Sequence, residues 1–350
     1  MLSLDLIQPG DESTLTGGYI YNRRLLEALA ARGWRTTLHG LQTSFPLPTA
    51  AALEEAQEVL AAIPLGSLVL VDGLALGGMP ELIEREAQRL CLVALVHHPL
   101  ALETGLEAET AAALEQAECR ALAAVRGVIV TSHATAGALT ARAVPAQRIG
   151  VVKPGTDAAP PAGGSGGELL ELLCVATVTP RKGHAVLVEA LGTLAHSAWR
   201  LTCVGSLQRC PATVVALRQQ IRALRLDERV RLLGEVDATT LSSCYAQADL
   251  FILASHHEGY GMALAEALAH ALPVLSTRAG AIPETVPKQA GILVPPGDSR
   301  ALADALARLI KEPELRRRLA IGAAAARAAL PGWEQAGARF AAEIQRIITP

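Results

Sequence analysis

The stretch from Ala248 to Thr277 constrains the fold more than any other. Ala248 to Ala254 (ADLFILA) is a short apolar run, and Val274 to Thr277 (VLST) is another. Between them His256 to Pro273 (HHEGYGMALAEALAHALP) opens on glycines and continues as an Ala/Leu/Glu-rich helix former. The order is therefore strand, glycine-loosened turn, helix, strand. Gly259 and Gly261 let the backbone turn sharply and bring bare N–H groups close to a ligand. A helix N-terminus at that point offers unpaired donors and a partial positive charge, which suits a phosphate. Glu258 stands just before the helix and Glu266 lies two turns into it, at about 3.6 residues per turn. Amides between two carboxylates suit a diphosphate flanked by two groups of hydroxyls, the outline of a nucleotide-sugar. The same residues also read as a Gly-punctuated strand–helix junction with Glu266 solvated, so the surrounding sequence has to decide.

With 350 residues, two domains are the natural expectation. A hydrophobic content of 51% against 19% charged residues places the chain among globular proteins. The net charge of −3 leaves no electrostatic footprint for nucleic acid. The six cysteines (91, 119, 174, 203, 210, 244) are scattered, without C-x-x-C or a cysteine–histidine ligand spacing. Several sit in apolar runs, where a buried free thiol is expected, and a reducing compartment fits them best. The opening MLSLDLIQPGD lacks the basic and apolar regions of a signal peptide. No apolar run reaches the ~20 residues of a membrane span. A cytoplasmic protein is expected, with peripheral membrane contact left open.

Leu2 to Ile7 reads as a first strand, followed by the loop PGDESTLTGGY and a helix from Ile20 to Arg32. Gly17 and Gly18 are thus placed just ahead of that helix, at a strand's carboxyl end, where open α/β sheets bind ligands. Residues 67–73 and 89–100 supply further strands, near-continuously apolar as in a sheet covered on both faces, and 127–132 and 149–157 add two more. His97-His98-Pro99 closes the second of these, and an imidazole there can bind a sugar hydroxyl or steady developing charge. Glu103 to Gly105 extend the same wall. Ser132 and His133 read either as a border of an acceptor space or as a turn and helix cap. The run PPAGGSGG (160–167) has the composition of a flexible linker and is expected to mark the domain boundary. Beyond it, residues 171–178, 199–205 and 229–236 read as strands. Helices rich in Ala and Arg fill 301–330, PGW interrupts them, and an amphipathic helix runs to Ile347.

The segment EGYGMALAEALA, with Glu258 and Glu266 separated by seven residues, resembles the E-x7-E motif of retaining glycosyltransferases of family 4. The following ALPVLST and GAIPE (280–284) fall in that family's order, and the resemblance covers nearly the whole chain, most strongly 170 to 300. It implies a GT-B fold, α/β throughout: two Rossmann-like domains facing a central cleft. The expected domains are 1–160 on the acceptor side, a linker over 161–168 and a nucleotide-sugar domain over 169–330. Residues 331–350 then form a helix returning to the first domain.

Carried over residue by residue, the resemblance implies that Glu258 contacts the sugar hydroxyls and Glu266 the ribose hydroxyls. Amides near Gly261 and Met262 hold phosphate, Gly259 and Tyr260 belong to the same donor-binding turn, and Gly234 lies beside the nucleotide. TGGYxYxRR (16–24) resembles the family's glycine-rich first loop, placing Gly17 and Gly18 at the donor and Tyr19 and Arg24, with Arg23, on the acceptor or lipid side. His97 matches a family histidine close to the donor sugar; His98 falls where the family often has Asp, and with Ser132 it is placed on the acceptor side. The family's G-R-x-x-x-x-K-G is met by Lys182-Gly183, but Ala176-Thr177 replaces Gly-Arg. Either Lys182 carries the anion together with the helix amides, or Arg181 supplies part of the missing charge; Thr177 is placed at the donor.

No Asp-x-Asp occurs, so no metal is expected, and no cofactor beyond the nucleotide-diphosphate sugar used as donor. The reaction implied is same-face transfer, with the phosphate leaving group taking the acceptor's proton. His97, Glu258 and Lys182 are the catalytic candidates, Glu258 not as a nucleophile. The acceptor, whether small molecule, glycan or lipid, is not legible. Competing readings are a sugar-nucleotide epimerase or a phosphorylase on the same plan, and a non-catalytic nucleotide-sugar binder. A Rossmann dehydrogenase fares worst, because the first strand–loop lacks G-x-G-x-x-G.

Overall fold

The structure, a computed structural model, describes residues 2–10, 14 and 16–349. Of the loop expected after the first strand, Asp11 to Ser13 and Leu15 lie outside the described residues. The chain divides into two compact units: residues 1–155 with 331–350, and residues 156–330.

The first unit holds β1 (Ser3–Pro9), β2 (Arg35–Leu41), β3 (Leu68–Asp72), β4 (Cys91–Val96), β5 (Gly127–Val130) and β6 (Ile149–Val151). They form one parallel sheet in the order β2-β1-β3-β4-β5-β6. β3 and β5 are buried along their whole length, which is why they read as uninterrupted apolar runs. β2, RTTLHGL, is only partly buried and largely polar, and its alternation is too weak to announce a strand. The first helix starts earlier than its apolar spacing indicates: Gly17 and Gly18 form its first turn, in Gly17–Ala30, rather than preceding it.

The second unit holds β7 (Leu170–Val175), β8 (Trp199–Val204), β9 (Val230–Gly234), β10 (Leu250–Leu253), β11 (Val274–Thr277) and β12 (Gly291–Val294). They too form one parallel sheet, in the order β12-β11-β10-β7-β8-β9. In each sheet the strand order reverses once, between β1 and β3 and between β7 and β10. The loops at the carboxyl ends of such strand pairs diverge and leave a crevice, the usual ligand position in open α/β sheets.

Composition misleads at residues 160–167. The run is not a free linker. Ala162 N donates to His270 O at 2.7 Å, Gly163 N to Ala246 O at 3.0 Å, and Ser165 Oγ to Asp249 Oδ2 at 2.7 Å. The run lies largely exposed on the surface of the second unit, held at these hydrogen-bonded points, and the chain passes between units at Gly155–Thr156 instead. A Cβ on Gly155 would lie 2.5 Å from the backbone of Trp333, so the outgoing chain runs directly against the start of the returning helix Trp333–Ile348. That helix packs into the first unit through Trp333, Ala336, Phe340 and Ile344. Arg346 Nη2 donates to Ile149 O at 2.9 Å.

Candidate functional site

The loops after β7 and β10 meet at the reversal point of the second sheet. Gly183 has φ 66°, and a Cβ there would stand 2.0 Å from Ala254 O, so only glycine lets the β7 loop lie on the β10 loop. His256 N donates to Arg181 O at 2.7 Å, tying the two loops by backbone. Gly261, with φ 88°, heads the helix Met262–Ala269 in a left-handed conformation that an L side chain would strain. The GAIPE segment fixes this loop from outside. Ala281 N donates to Glu258 O at 2.8 Å and Thr285 Oγ1 to Tyr260 O at 2.7 Å.

This framework brings both cations of the β7 loop onto one carboxylate of the β10 loop. Lys182 Nζ lies 2.6 Å from Glu258 Oε1, and Ser255 Oγ donates to the same oxygen at 2.6 Å. Arg181 Nη1 stands 3.7 Å from Glu258 Oε2 and donates to His257 O at 2.9 Å. Glu258 is only 6% exposed. Burial opposes its ionisation, but the Lys182 and Arg181 charges and the Ser255 hydrogen bond outweigh it and hold the carboxyl at about 2. Burial draws Lys182 below the usual lysine range, with Glu258 opposing the shift and the Arg181 charge adding to it. The result is a pinned anion with two cations beside the N-terminus of a helix, whose leading amides have no partner within the helix.

Glu266 is one turn into that helix rather than two, because the helix begins only at Met262, and it accepts a hydrogen bond from Tyr245 Oη at 2.9 Å. Burial raises its pKa, the Tyr245 bond opposes the shift, and the Asp157 charge reinforces it. Tyr260 is buried and its phenol is pushed up to about 12, mainly by desolvation. Met262, half-buried, is the helix's first residue. The departure at Ala176-Thr177 is a crowded place. A Cβ on Gly205 would lie 2.3 Å from Ala176 O, and Gly205 N donates to Gly234 O at 2.9 Å. Gly234 and the half-buried Thr177 thereby belong to the same neighbourhood, at the carboxyl ends of β9 and β7.

In the first unit a second cluster forms at the β1/β3 reversal. His97 Nε2 lies 3.1 Å from Asn22 Oδ1 and 3.4 Å from Asp72 Oδ2. Asn22 Nδ2 donates to Asp72 Oδ2 at 3.1 Å and to Gln8 Oε1 at 2.9 Å. Burial opposes ionisation of Asp72, and hydrogen bonds and charge from His97, with Asn22 and the Leu74 amide, bring its pKa below the usual carboxylate value. Gly18 is small because His97 is close: a Cβ there would sit 3.1 Å from the ring. The Tyr21 ring meets His97 edge-on at 5.4 Å.

Of the acceptor-side residues named from the sequence, His98 follows His97 and Ser132 reaches His97 O through Thr135, whose Oγ1 lies 3.5 Å from that carbonyl. Arg24 stacks over the Trp333 ring at 5.3 Å and lies 3.5 Å from Glu27. Ser132 is fully buried and caps the helix His133–Thr140, accepting from Thr135 N at 3.0 Å, so the capping role holds. His98 Nε2 lies 3.2 Å from Glu103 Oε2. Tyr19 has its ring close to Gly10, where a Cβ would be 3.6 Å away. Sequence reasoning missed Ser255, Tyr245, Asn22 and Asp72. Asp72 and Ser255 each end an apolar run, and Asn22 occupies an unspecified position of TGGYxYxRR, signals that could have singled them out; Tyr245 lies in a helical run with no motif of its own.

Residues 170–312 match the family described as Glycosyl transferases group 1. The chain is 34% identical over 158 residues to D-inositol 3-phosphate glycosyltransferase of Xylanimonas cellulosilytica, an alignment covering 45% of this chain and 37% of that protein. It is 35% identical over 102 residues to N-acetyl-alpha-D-glucosaminyl L-malate synthase of Bacillus anthracis, covering 29% and 26%. The chain therefore spans well under half the length of these curated relatives. The fold is matched in full. Sucrose-phosphate synthase from Thermosynechococcus elongatus superposes with a TM-score of 0.84 at 22% identity, covering 99% of both chains. Anabaena HepE, solved with UDP and glucose, gives a TM-score of 0.77 at 18% identity, covering 99% of this chain and 100% of that one. Two parallel Rossmann-like sheets with a returning terminal helix make the GT-B fold, and within it residues 170–312, less than half of the chain, are similar to the group 1 glycosyl transferases.

Proposed function

We propose that the chain is a retaining glycosyltransferase that moves a sugar from a nucleotide-sugar to a hydroxyl acceptor. The observation that carries this reading is the convergence of Lys182 and Arg181 on Glu258, beside the helix headed by Gly261. A diphosphate binds there against Lys182, Arg181 and the helix amides, which form a preorganised positive field. Arg181 stands in for part of the charge that Ala176-Thr177 lacks. Glu258 steers the cations and accepts from sugar hydroxyls. Held near 2 and already bound by Lys182 and Ser255, it is a poor nucleophile, so transfer proceeds on the same face, with the phosphate taking the acceptor's proton. Glu266 binds the ribose hydroxyls. Through the Asp72–Asn22 network the first unit holds His97 in place to bind or polarise a hydroxyl.

The Anabaena neighbour was solved with UDP-glucose, which makes UDP-sugars the first donors to test. The relatives' names carry D-inositol 3-phosphate, L-malate and phosphatidyl-myo-inositol, so hydroxylated anionic molecules and lipid headgroups are the acceptors to try. The test is NMR of the earliest product formed from an α-linked nucleotide-sugar with such acceptors. An α-linked product supports the reading and a β-linked product overturns retention. Donor that binds but is never turned over would favour the non-catalytic binder, the reading that Ala176-Thr177 encourages.

A further inference from the structure

Cys174 and Cys203 are register partners on β7 and β8, and His184 heads the helix His184–Gly192. All three are buried, at 1%, 4% and 2% exposure. One ligating atom from each lies within 4.8 Å of the other two. Cys174 Sγ is 3.8 Å from His184 Nε2. A sulfur at ~2.3 Å and a nitrogen at ~2.0 Å from a shared ion, set at a trigonal angle, stand about 3.7 Å apart. The side chains thus have the spacing of a coordination site with little movement needed. The ring is also not spent elsewhere: His184 Nδ1 is one of two buried side-chain polar atoms among the described residues without a hydrogen-bond partner.

We propose that Cys174, Cys203 and His184 form a binding site for one soft d10 cation, zinc or cuprous, buried beneath the loop that carries Arg181 and Lys182. Two thiolates and a neutral imidazole are the donor set that such ions prefer over hard oxygen-seeking ones. Binding releases the thiol protons to solvent and leaves no oxidation state changed. His184 lies two residues after Lys182, so the ion ties the head of this helix to the sheet and fixes the loop between them. The site lies under the loop of the diphosphate site but shares no ligand residue with it and does not depend on the function proposed above.

The test uses the full chain, stripped with a chelator and titrated separately with Zn2+, with Cu+ under reducing conditions, and with Co2+ as a coloured substitute for zinc. Expected are one equivalent bound, a sulfur-to-cobalt charge-transfer band and a higher Tm. X-ray absorption of the loaded wild type should find two sulfur neighbours and one nitrogen, a readout that needs no variant. Cys174→Ser and Cys203→Ser should each weaken binding at least tenfold, while Cys210→Ser and Cys244→Ser leave it unchanged. An absorption spectrum with only oxygen and nitrogen neighbours overturns the proposal, as does failure of the wild type to hold any of the three ions. A Cys174–Cys203 disulfide forming under mild oxidant in a chain that retains no metal overturns it in favour of a redox pair.

Discussion

At the residue scale, charge does most to define the second-unit site. Lys182 compensates a carboxylate that is almost wholly withdrawn from water, so Lys182→Ala leaves Glu258 buried with Arg181 alone at 3.7 Å. Breaking a buried pair from one side costs about 3–5 kcal/mol, and a urea melt of Lys182→Ala should show a loss toward that range. Glu258 sets the sign of the acid response. Its pKa is lowered from 4.5 to about 2, so its stabilisation is complete above the unfolded value and is lost as pH falls through the folded one. Glu266 works in the opposite direction. Burial raises its pKa, so its charged form opposes folding at neutral pH. Glu266→Gln should therefore raise the Tm of the ligand-free protein by about 1–3 °C while weakening nucleotide-sugar binding, the trade expected of a site tuned for a ligand. A fall in Tm for this variant would show that the Tyr245 hydrogen bond outweighs the desolvation.

At the scale of elements, two loops and the helix starts behind them carry the chemistry, and their glycines are their most constrained residues. Gly261→Ala puts a side chain at φ 88° and into contact with Leu264, whose Cδ1 would lie 2.7 Å from the new carbon. A destabilisation above about 1 kcal/mol is expected from the backbone alone, together with loss of donor binding. In the first unit, the segment after His97 is held by Glu118, which accepts from the Leu100 amide and is pushed by burial to about 7. A raised carboxyl contributes stability below its unfolded value of 4.5 and loses it as pH climbs through about 7. The wild-type Tm should accordingly drop between pH 5.5 and 8, and Glu118→Gln should flatten that drop.

These elements also mark what the sequence could disclose. β3 to β5, β10 and β11 were legible as apolar runs, and Glu258, Gly261, Glu266 and Lys182 as a spaced motif. The edge strands β2 and β12 were not: one is largely polar and only partly buried, the other four residues long. The cysteine–histidine cluster was hidden for a related reason. Cys174 and Cys203 are 29 residues apart in sequence and become neighbours only through the β7–β8 register, which no linear spacing encodes. Residues 160–167 misled in the other direction, because hydrogen bonds to Ala246, Asp249 and His270, distant in sequence, pin an exposed Gly/Ser run that composition alone reads as free.

At the scale of the whole chain, the first unit is closed by residues from the far end of the sequence. Phe340 and Ile344 are fully buried, and Glu343 is buried between Arg339 and Arg346, at 2.6 and 2.7 Å. Truncating a buried Phe costs about 3–5 kcal/mol. Phe340→Ala should therefore destabilise the first unit, 1–155 with 331–350, and leave hydrogen-exchange protection in 156–330 near wild type. Among the described residues no helix is long and apolar enough to cross a membrane. The central claim is that Lys182, Arg181 and Glu258 form a nucleotide-sugar site, and a thermal-shift screen of UDP-, GDP- and ADP-sugars on wild type and Lys182→Ala tests it most directly. A ligand at about 100 times its Kd adds ~2.7 kcal/mol to the native state. The account predicts that sugars of one nucleotide raise the wild-type Tm by several degrees and leave Lys182→Ala unmoved. Equal shifts in both proteins, or no shift from any nucleotide-sugar at millimolar concentration, would contradict it.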